Sequence, residues 1–430
     1  MPTGAMARIF EVRRPDVTRL GHNLEELETM QTFLLDAIRT PRGKGNEKGR
    51  LHEVKPVVLL KGLFDALAKR APKAPETVRE VILGCVTQVG DQGGNIAQTA
   101  SLYAGWEPQD SATTVNSFCT SSLSALGLAT AKVTARMGDL YAVGGIESMS
   151  RVPLMSDRGA LFVDQDISAS IPYVPNGVIA DFFASRNGFS REDLDQYAAR
   201  SHNRAHLASE EGRFARSLIP VLDSEGVTII DRDELIRGNA SPGSLRKLNP
   251  LFGELGAGGF DRLLLDAHPD LESIAHHHHA GNAPGMVDGA SLALIGSAAA
   301  AEKLGLPIRA RIRALSYKRG PAIEGLTGGL MATRDVLEKS NLTPSDIDLW
   351  EFNEGFAGVV MHCAAQLGID DERLNVNGGG IAMGHAMGAT GINLLSTLAD
   401  ELERRDLSTG VVAISGAAGI GAAVVIDRNL

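Results

Sequence analysis

A strand, a turn of small residues and a helix follow one another twice in this chain, and the spacing repeats along with the order. Val81 and Cys119 lie 38 positions apart, and Ile347 and His385 lie 38 apart again. The first copy reads as the strand Glu80–Gly84, a helix over 97–104, a strand over 114–118 breaking into Cys119-Thr120-Ser121-Ser122, a helix over 123–136 and a strand over 140–143. In the second copy a helix over 331–340 and a strand over 347–350 lead to a glycine-rich turn around His385. A helix over 391–404 and a strand over 411–414 follow. Helical and strand periodicities that alternate in this way specify an α/β fold. Their duplication specifies two similar lobes, whose equivalent helix N-termini could converge on one site, with Cys119 and His385 at equivalent places.

The rest of the chain divides around this repeat. Residues 1–31 are polar without clear period and read as an N-terminal extension. Residues 32–148 with 280–300 form the first half, starting from the apolar run Phe33-Leu34-Leu35, and residues 301–430 form the second. Residues 149–279, richer in charge, read as an inserted cap with an amphipathic helix over 193–213. Its cations Arg200, Arg204, Arg213, Arg216, Arg246 and Lys247 could meet an anionic cofactor or simply lie solvated. With 42 Lys plus Arg against 52 Asp plus Glu, the net charge of −10 speaks against a nucleic-acid partner. The apolar stretch 411–426 is shorter than the ~20 residues of a membrane helix, so no membrane span is expected. Three scattered cysteines, Cys85, Cys119 and Cys363, and an N-terminus without an apolar signal core point to a cytoplasmic, reducing address.

Cys119 follows a strand and opens a helix, where free amides and the helix dipole are expected to lower a thiol's pKa. It reads as a nucleophile or as a buried structural cysteine. His385, in Asn377-Gly378-Gly379-Gly380-Ile381-Ala382-Met383-Gly384-His385, is placed to take a thiol proton where glycines let backbone approach a ligand. No phosphate-binding Gly-x-x-x-x-Gly-Lys-Ser/Thr motif occurs, and Gly416 to Gly421 lies too near the C-terminus to open a dinucleotide fold, so it reads as a small-residue turn beside a site. Four adjacent histidines, His276 to His279, cannot all face one ion, and they read as a polar pocket lining or an exposed loop before a metal site. His362 and Cys363 read as core or interface residues.

Taken together, several blocks resemble the thiolases, acyl-CoA acyltransferases that make or break 3-oxoacyl-CoA. They are 36–41, Val115-Asn116-Ser117-Phe118-Cys119, Gly144-Gly145-Ile146-Glu147-Ser148-Met149-Ser150, Ala280-Gly281-Asn282-Ala283, 288–290, Asn353-Glu354-Gly355-Phe356-Ala357 and the block around His385. The resemblance implies two repeated βαβαβαββ halves with a loop domain, and a dimer or tetramer of such chains. It implies that Cys119 carries the acyl group as a thioester and that His385 activates it and holds the thioester oxygen of the bound acyl-CoA. Asn353 would order the water completing that oxyanion hole, whereas apart from the resemblance an Asn at this place reads first as a cap of the next helix. Amides at Cys119 and near Ala417 would form a second hole. CoA, a substrate rather than a resident cofactor, would lie against Met149, Ala280, Pro284 and Arg246.

This chain departs from the family at the C-terminal cysteine that protonates the leaving carbanion, where Ser415 stands. Pro284 replaces a serine that contacts pantetheine, and Ala386-Met387 replaces a proline-containing pair. The implied activity is thiolytic cleavage of 3-oxoacyl-CoA, as in fatty-acid breakdown. Acetoacetyl-CoA-forming condensation and a non-cleaving acyl-CoA-binding scaffold are the alternatives.

Overall fold

The computed structural model describes residues 30–430, so the segment read as an extension lies almost wholly outside the described residues. In the first half, β1 (Phe33–Arg39), β2 (Gly43–Lys44), β3 (Glu80–Gly84), β4 (Ala112–Val115) and β5 (Leu140–Ser148) are joined by helices that include α1 (Pro56–Arg70) and α2 (Ser121–Thr134). The cap holds α3 (Asn176–Arg186), α4 (Arg191–Glu210), the two-stranded ribbon β6 (Val221–Leu222) and β7 (Thr228–Ile230), and α5 (Asp261–Ala267). The chain then returns to the first half through β8 (Val287–Gly296). The second half carries β9 (Ala310–Arg319), α6 (Gly328–Ser340), β10 (Leu349–Phe352), α7 (Ala357–Leu367), α8 (Thr390–Arg404), β11 (Thr409–Ser415) and β12 (Ile420–Asp427).

The sheet displays the duplication as a palindrome, in the order β10-β11-β12-β9-β1-β8-β5-β3-β4. Outward from β1 the pairings with β8 and then β5 are antiparallel, and those with β3 and then β4 are parallel. Outward from β9 the pairings with β12 and β11 are again antiparallel, and that with β10 is parallel. The counterpart of β4 is reduced to the parallel bridge Trp350↔Leu374. At the centre a short antiparallel pairing, Phe33↔Arg311 and Leu34↔Ala310, joins the halves. Every residue of β1, β3, β5, β8, β10 and β11 is buried, which explains why these strands read as apolar runs without alternation.

The two halves share one core layer. Leu34, Val143 and Leu126 of the first pack in one cluster with Ile392, Leu395, Ile414 and Val424 of the second. Within it α2 and α8 approach so closely that a Cβ on Gly391 would lie 2.6 Å from Leu123 Cγ and 2.9 Å from its backbone nitrogen. From Thr390 to Leu402 every residue of α8 is buried, although the helix reads as amphipathic. Its polar face is covered because Arg309 meets Asp400 at 2.7 Å and Asn377 Nδ2 donates to Glu401 at 3.0 Å.

Two sequence expectations are corrected. The strand expected over 114–118 ends at Val115, because the Asn116 carboxamide oxygen accepts the Phe118 amide at 2.9 Å and Phe118 turns into the left-handed region at φ 50°. Cys119 and His385 are not equivalent to the residue, since α2 begins two positions after Cys119 and α8 five positions after His385. The apolar stretch 411–426 is the antiparallel pair β11–β12, and no helix among the described residues is long and apolar enough to cross a membrane.

Candidate active site

Cys119 sits between the bend at Phe118 and the first turn of α2, 8% exposed, in a cluster with Val86, Met149 and Met387. The second half reaches it through the turn that joins β11 to β12. A Cβ on Gly416 would lie 3.6 Å from the Cys119 nitrogen, and the amides of Ala417 and of Cys119 itself favour the thiolate. Burial nevertheless pushes this thiol up to about 12, helped by the Glu147 carboxylate and against the two amides. The expected lowering by the helix terminus is therefore overturned. Desolvation of a thiolate outweighs a dipole that begins two residues further on.

His385 is held by its own amide, which donates to the Gly285 carbonyl at 3.0 Å, and by Nδ1, 2.8 Å from Thr390 Oγ1 at the start of α8. Burial, with Arg42 beside it, brings the imidazole down to about 4, so it is neutral at pH 7 with Nε2 left for a ligand or a thiol proton. The turn that follows crosses the ends of β3 and β5 at Gly84 and Gly145. A Cβ on either would meet the Gly388 carbonyl oxygen, at 2.7 Å and 2.1 Å, so no larger residue fits. Glu147, at the end of β5, binds this turn to the first half. Its carboxylate accepts the amides of Val86 (3.0 Å), Thr87 (3.1 Å) and Gly388 (3.1 Å) and the Gln92 carboxamide (2.9 Å).

Asn353 lies just beyond β10, 3% exposed, with its amide on the Ala413 carbonyl at 2.9 Å. Its side-chain oxygen is buried without a protein partner among the described residues, and it is not the cap of α7, whose N-cap residue is Phe356. Ser415 ends β11, and its Oγ accepts the Gly329 amide in the first turn of α6 at 3.0 Å. Thus a thiol, a neutral imidazole, two amides that favour the thiolate and an unsatisfied carboxamide are brought by four separate turns to the junction of the halves.

Residues 32–259 match the family described as "Thiolase, N-terminal domain", and residues 306–428 match "Thiolase, C-terminal domain". The chain belongs to the thiolase family. A 3-ketoacyl-CoA thiolase of Shewanella loihica is 36% identical over 407 residues, covering 93% of this chain and 99% of the relative. One from Colwellia psychrerythraea is 33% identical with the same coverage. Among solved structures, human mitochondrial 3-ketoacyl-CoA thiolase superposes with a TM-score of 0.81 at 27% identity, over 94% of this chain and all of the other. The Bacillus anthracis acetyl-CoA acetyltransferase superposes at 0.78 and 29% identity, over 93% and 99%.

Around this thiolase site the remaining sequence candidates fall unevenly. Met149 packs in the cluster of Cys119, and Pro284 precedes the Gly285 that holds His385. Ala280 is exposed nearby. Arg246 is a surface residue, its side chain 69% exposed and 3.6 Å from Glu192. The cap cations pair with carboxylates rather than gathering: Arg200 and Arg204 with Asp371, Arg213 with Glu211, Arg216 with Glu403. His362 stacks on Phe183 at 4.4 Å and Cys363 is buried, as core residues.

The four histidines are not an exposed loop. His278 Nδ1 and the amides of His277 and His278 all meet Asp181 Oδ1, at 2.7, 2.9 and 2.9 Å, while His278 Nε2 accepts the Gly358 amide at 3.0 Å. His279 Nδ1 accepts the Gly281 amide at 2.9 Å and its Nε2 meets Asp195 at 2.8 Å. No group of ligands that could hold a metal occurs among the described residues.

Sequence reasoning missed Glu147, Glu354 and Arg42, although the first two stand inside the quoted blocks. Glu354 is buried on Tyr197, Ser201, Asn375 and the Ile381 amide, and it fixes the turn before His385. Arg42 is buried and donates to the Gly384 carbonyl at 2.8 Å. A carboxylate ending an otherwise apolar strand was the available signal, since burial requires partners for it.

Proposed function

We propose that this chain cleaves 3-oxoacyl-CoA with CoA, through a thioester on Cys119, to acyl-CoA and acetyl-CoA. One observation carries the reading: the turn that joins β11 to β12 in the second half packs on the nucleophile of the first, a Cβ on Gly416 lying 3.6 Å from the Cys119 nitrogen. Cys119 attacks C3 as its proton passes to His385, and the oxygen at C3 gains charge within reach of the Cys119 and Ala417 amides. The C2–C3 bond then breaks toward an acetyl-CoA enolate. Its oxygen is met by the His385 imidazole and by a water held on the unsatisfied Asn353 side chain. The enolate carbon needs a proton, and the family's acid position holds Ser415, whose hydroxyl is a poor substitute for a thiol of ordinary pKa about 8.5.

This sequence of steps calls for no metal or redox group, and CoA enters as substrate. The setting we assign is acyl-CoA breakdown in a reducing cytoplasm, supported by three free cysteines. Pairing into dimers or tetramers is supported by the outermost strand β4 and by Leu102 and Tyr103, each more than half exposed on the neighbouring helix Ile96–Tyr103. Release of acetyl-CoA from short and long 3-oxoacyl-CoAs in the presence of CoA tests the activity. Turnover is expected, and binding of CoA without cleavage of any of them would instead make the chain an acyl-CoA carrier.

A further inference from the structure

The peptide group that joins Gly384 to His385 is gripped at both ends. Its carbonyl oxygen accepts Arg42 Nη1 at 2.8 Å, and its N–H donates to the Gly285 carbonyl at 3.0 Å. A guanidinium on the oxygen polarises the group and strengthens the bond made by its N–H. The grip falls where the chain most needs one. Gly384 has φ 86°, a conformation that glycine alone adopts readily, and a residue without a side chain leaves the peptide after it free to swivel unless something outside holds it. A Cβ there would lie 2.2 Å from Val287 Cγ1 and 3.1 Å from Leu235 Cδ1, so no side chain at position 384 can supply the restraint.

Arg42 is itself carried by the cap. Its amide donates to Asp233 Oδ1 at 2.9 Å and its carbonyl accepts the Glu234 amide at 2.9 Å. The next cap residue, Leu235, packs with Val287, Ala386 and Ala389 around the histidine turn. Docking of the cap does not explain the guanidinium, because Arg39 already takes both Asp233 oxygens at 2.9 Å. Arg42 Nε stands 3.8 Å from that carboxylate and is buried with no hydrogen-bond partner among the described residues. The side chain is 3% exposed, and among the described residues the Gly384 carbonyl is the acceptor its guanidinium reaches. Burial, opposed by Asp233, brings this cation down to about 10. A second guanidinium buried beside Arg39 is unfavourable unless something other than the ion pair requires it, and what it touches is the histidine turn.

We propose that Arg42 is a positioning residue for His385: borne on the cap segment 233–235, it locks the Gly384–His385 peptide and so fixes the direction in which the imidazole enters the site. The proposal rests on the thiolase reading above, in which His385 takes the Cys119 proton and later meets the enolate oxygen. Both steps need the ring in one place, and a displacement of about 1 Å at such a group lowers the rate by up to ~10²-fold. The cap thereby acts on the chemistry without placing a side chain on the reacting atoms.

The test separates placement of the histidine from docking of the cap. Wild type, Arg42→Met, Arg42→Lys and Arg39→Met are compared in acyl-adduct formation from acetyl-CoA by intact mass, in kcat and KM for thiolysis of acetoacetyl-CoA, and in denaturation midpoint. Met fills the space without donating, Lys keeps a cationic donor, and Arg39→Met weakens the hold on Asp233 without touching Gly384. Arg42→Met is expected to lower kcat and the adduct rate together by roughly 10–10²-fold, with KM within about threefold of wild type. Arg42→Lys should recover kcat to within about fivefold, and Arg39→Met should lower the midpoint while kcat stays within about threefold. Should Arg42→Met fail to fold, Arg42→Gln, polar but too short to reach Gly384, takes its place in the comparison. Equal losses of kcat in the Arg42 and Arg39 variants would overturn the proposal, since both would then act by loosening the cap. So would a rise in KM with kcat unchanged, or full activity without the Arg42 donor. Absence of adduct and turnover in the wild type would instead remove the thiolase reading, and the proposal with it.

Discussion

Cys119 and His385 are both moved by burial toward their neutral forms, the thiol up to about 12 and the imidazole down to about 4, so the resting pair at pH 7 is thiol and imidazole rather than thiolate and imidazolium. The proton then moves only as the thiol attacks a bound carbonyl. In the free protein the rate of Cys119 alkylation by iodoacetamide should therefore climb about tenfold per pH unit from pH 6 through pH 9, because the thiolate fraction grows at that rate below its pKa. A plateau below pH 8 would contradict the assignment. At Asn353 the side-chain oxygen is buried without a partner among the described residues, and in the mechanism proposed above it would take a water, so Asn353→Ala should lower kcat for thiolysis by roughly 10²–10³-fold while the acyl adduct still forms. Loss of the adduct as well would place Asn353 in the packing of the Cys119 turn. The identities of these residues were legible in their motifs, whereas the direction of the Cys119 shift was not, since it depends on a desolvation that only the assembled halves create.

Elements carry the next level of the account. The His276–His279 segment is written in four adjacent letters, but its meaning lies in Asp181 on α3, Asp195 on α4 and Asp261 on α5, up to 97 positions away. His276 places Nδ1 2.8 Å from Asp181 and Nε2 3.0 Å from Asp261, an arrangement that requires both nitrogens protonated. Although burial opposes it, the two carboxylates raise the His276 pKa overall. Its contribution to stability is then fully present below the unfolded value of about 6.5 and lost as pH rises through the higher folded value. Asp181 and Asp195 are shifted downward, so theirs is present above the usual carboxylate range and lost in acid. His276→Gln should lower Tm most near pH 6 and least near pH 9, and a loss independent of pH would show that the ring acts through packing. At the crossing of α2 and α8, Gly391→Ala should cost about 1–3 kcal/mol in denaturant unfolding, since its Cβ meets backbone as well as the Leu123 side chain. The helical period of α8 was readable from sequence. Its burial on all sides was not, because the covering surface belongs to the other half.

For the whole molecule, the alternation of strand and helix and its repetition are local patterns, which is why the two halves and the α/β class could be read from the chain. How the cap is fastened over them could not. Arg39 of β1 grips Asp233 of the cap with two bonds of 2.9 Å, both side chains fully buried, and the Arg42 amide adds a third to the same carboxylate. Arg39→Met removes two of that carboxylate's three hydrogen bonds and leaves it the Arg42 cation at 3.8 Å, so unfolding free energy should fall by about 3 kcal/mol. Replacing Asp233 by Leu in the same chain should recover most of it. An unchanged denaturation midpoint in Arg39→Met would mean that the cap is held by other contacts.

The central claim is that turns from the two halves together make one thioester-forming site, and intact-mass analysis tests it most directly. The protein and its Cys119→Ala variant are each mixed with a 3-oxoacyl-CoA, then with CoA. The account predicts an acyl adduct on the wild type alone, discharged by CoA with release of acyl-CoA. An adduct that survives in Cys119→Ala, or no adduct with any acyl-CoA, would contradict it.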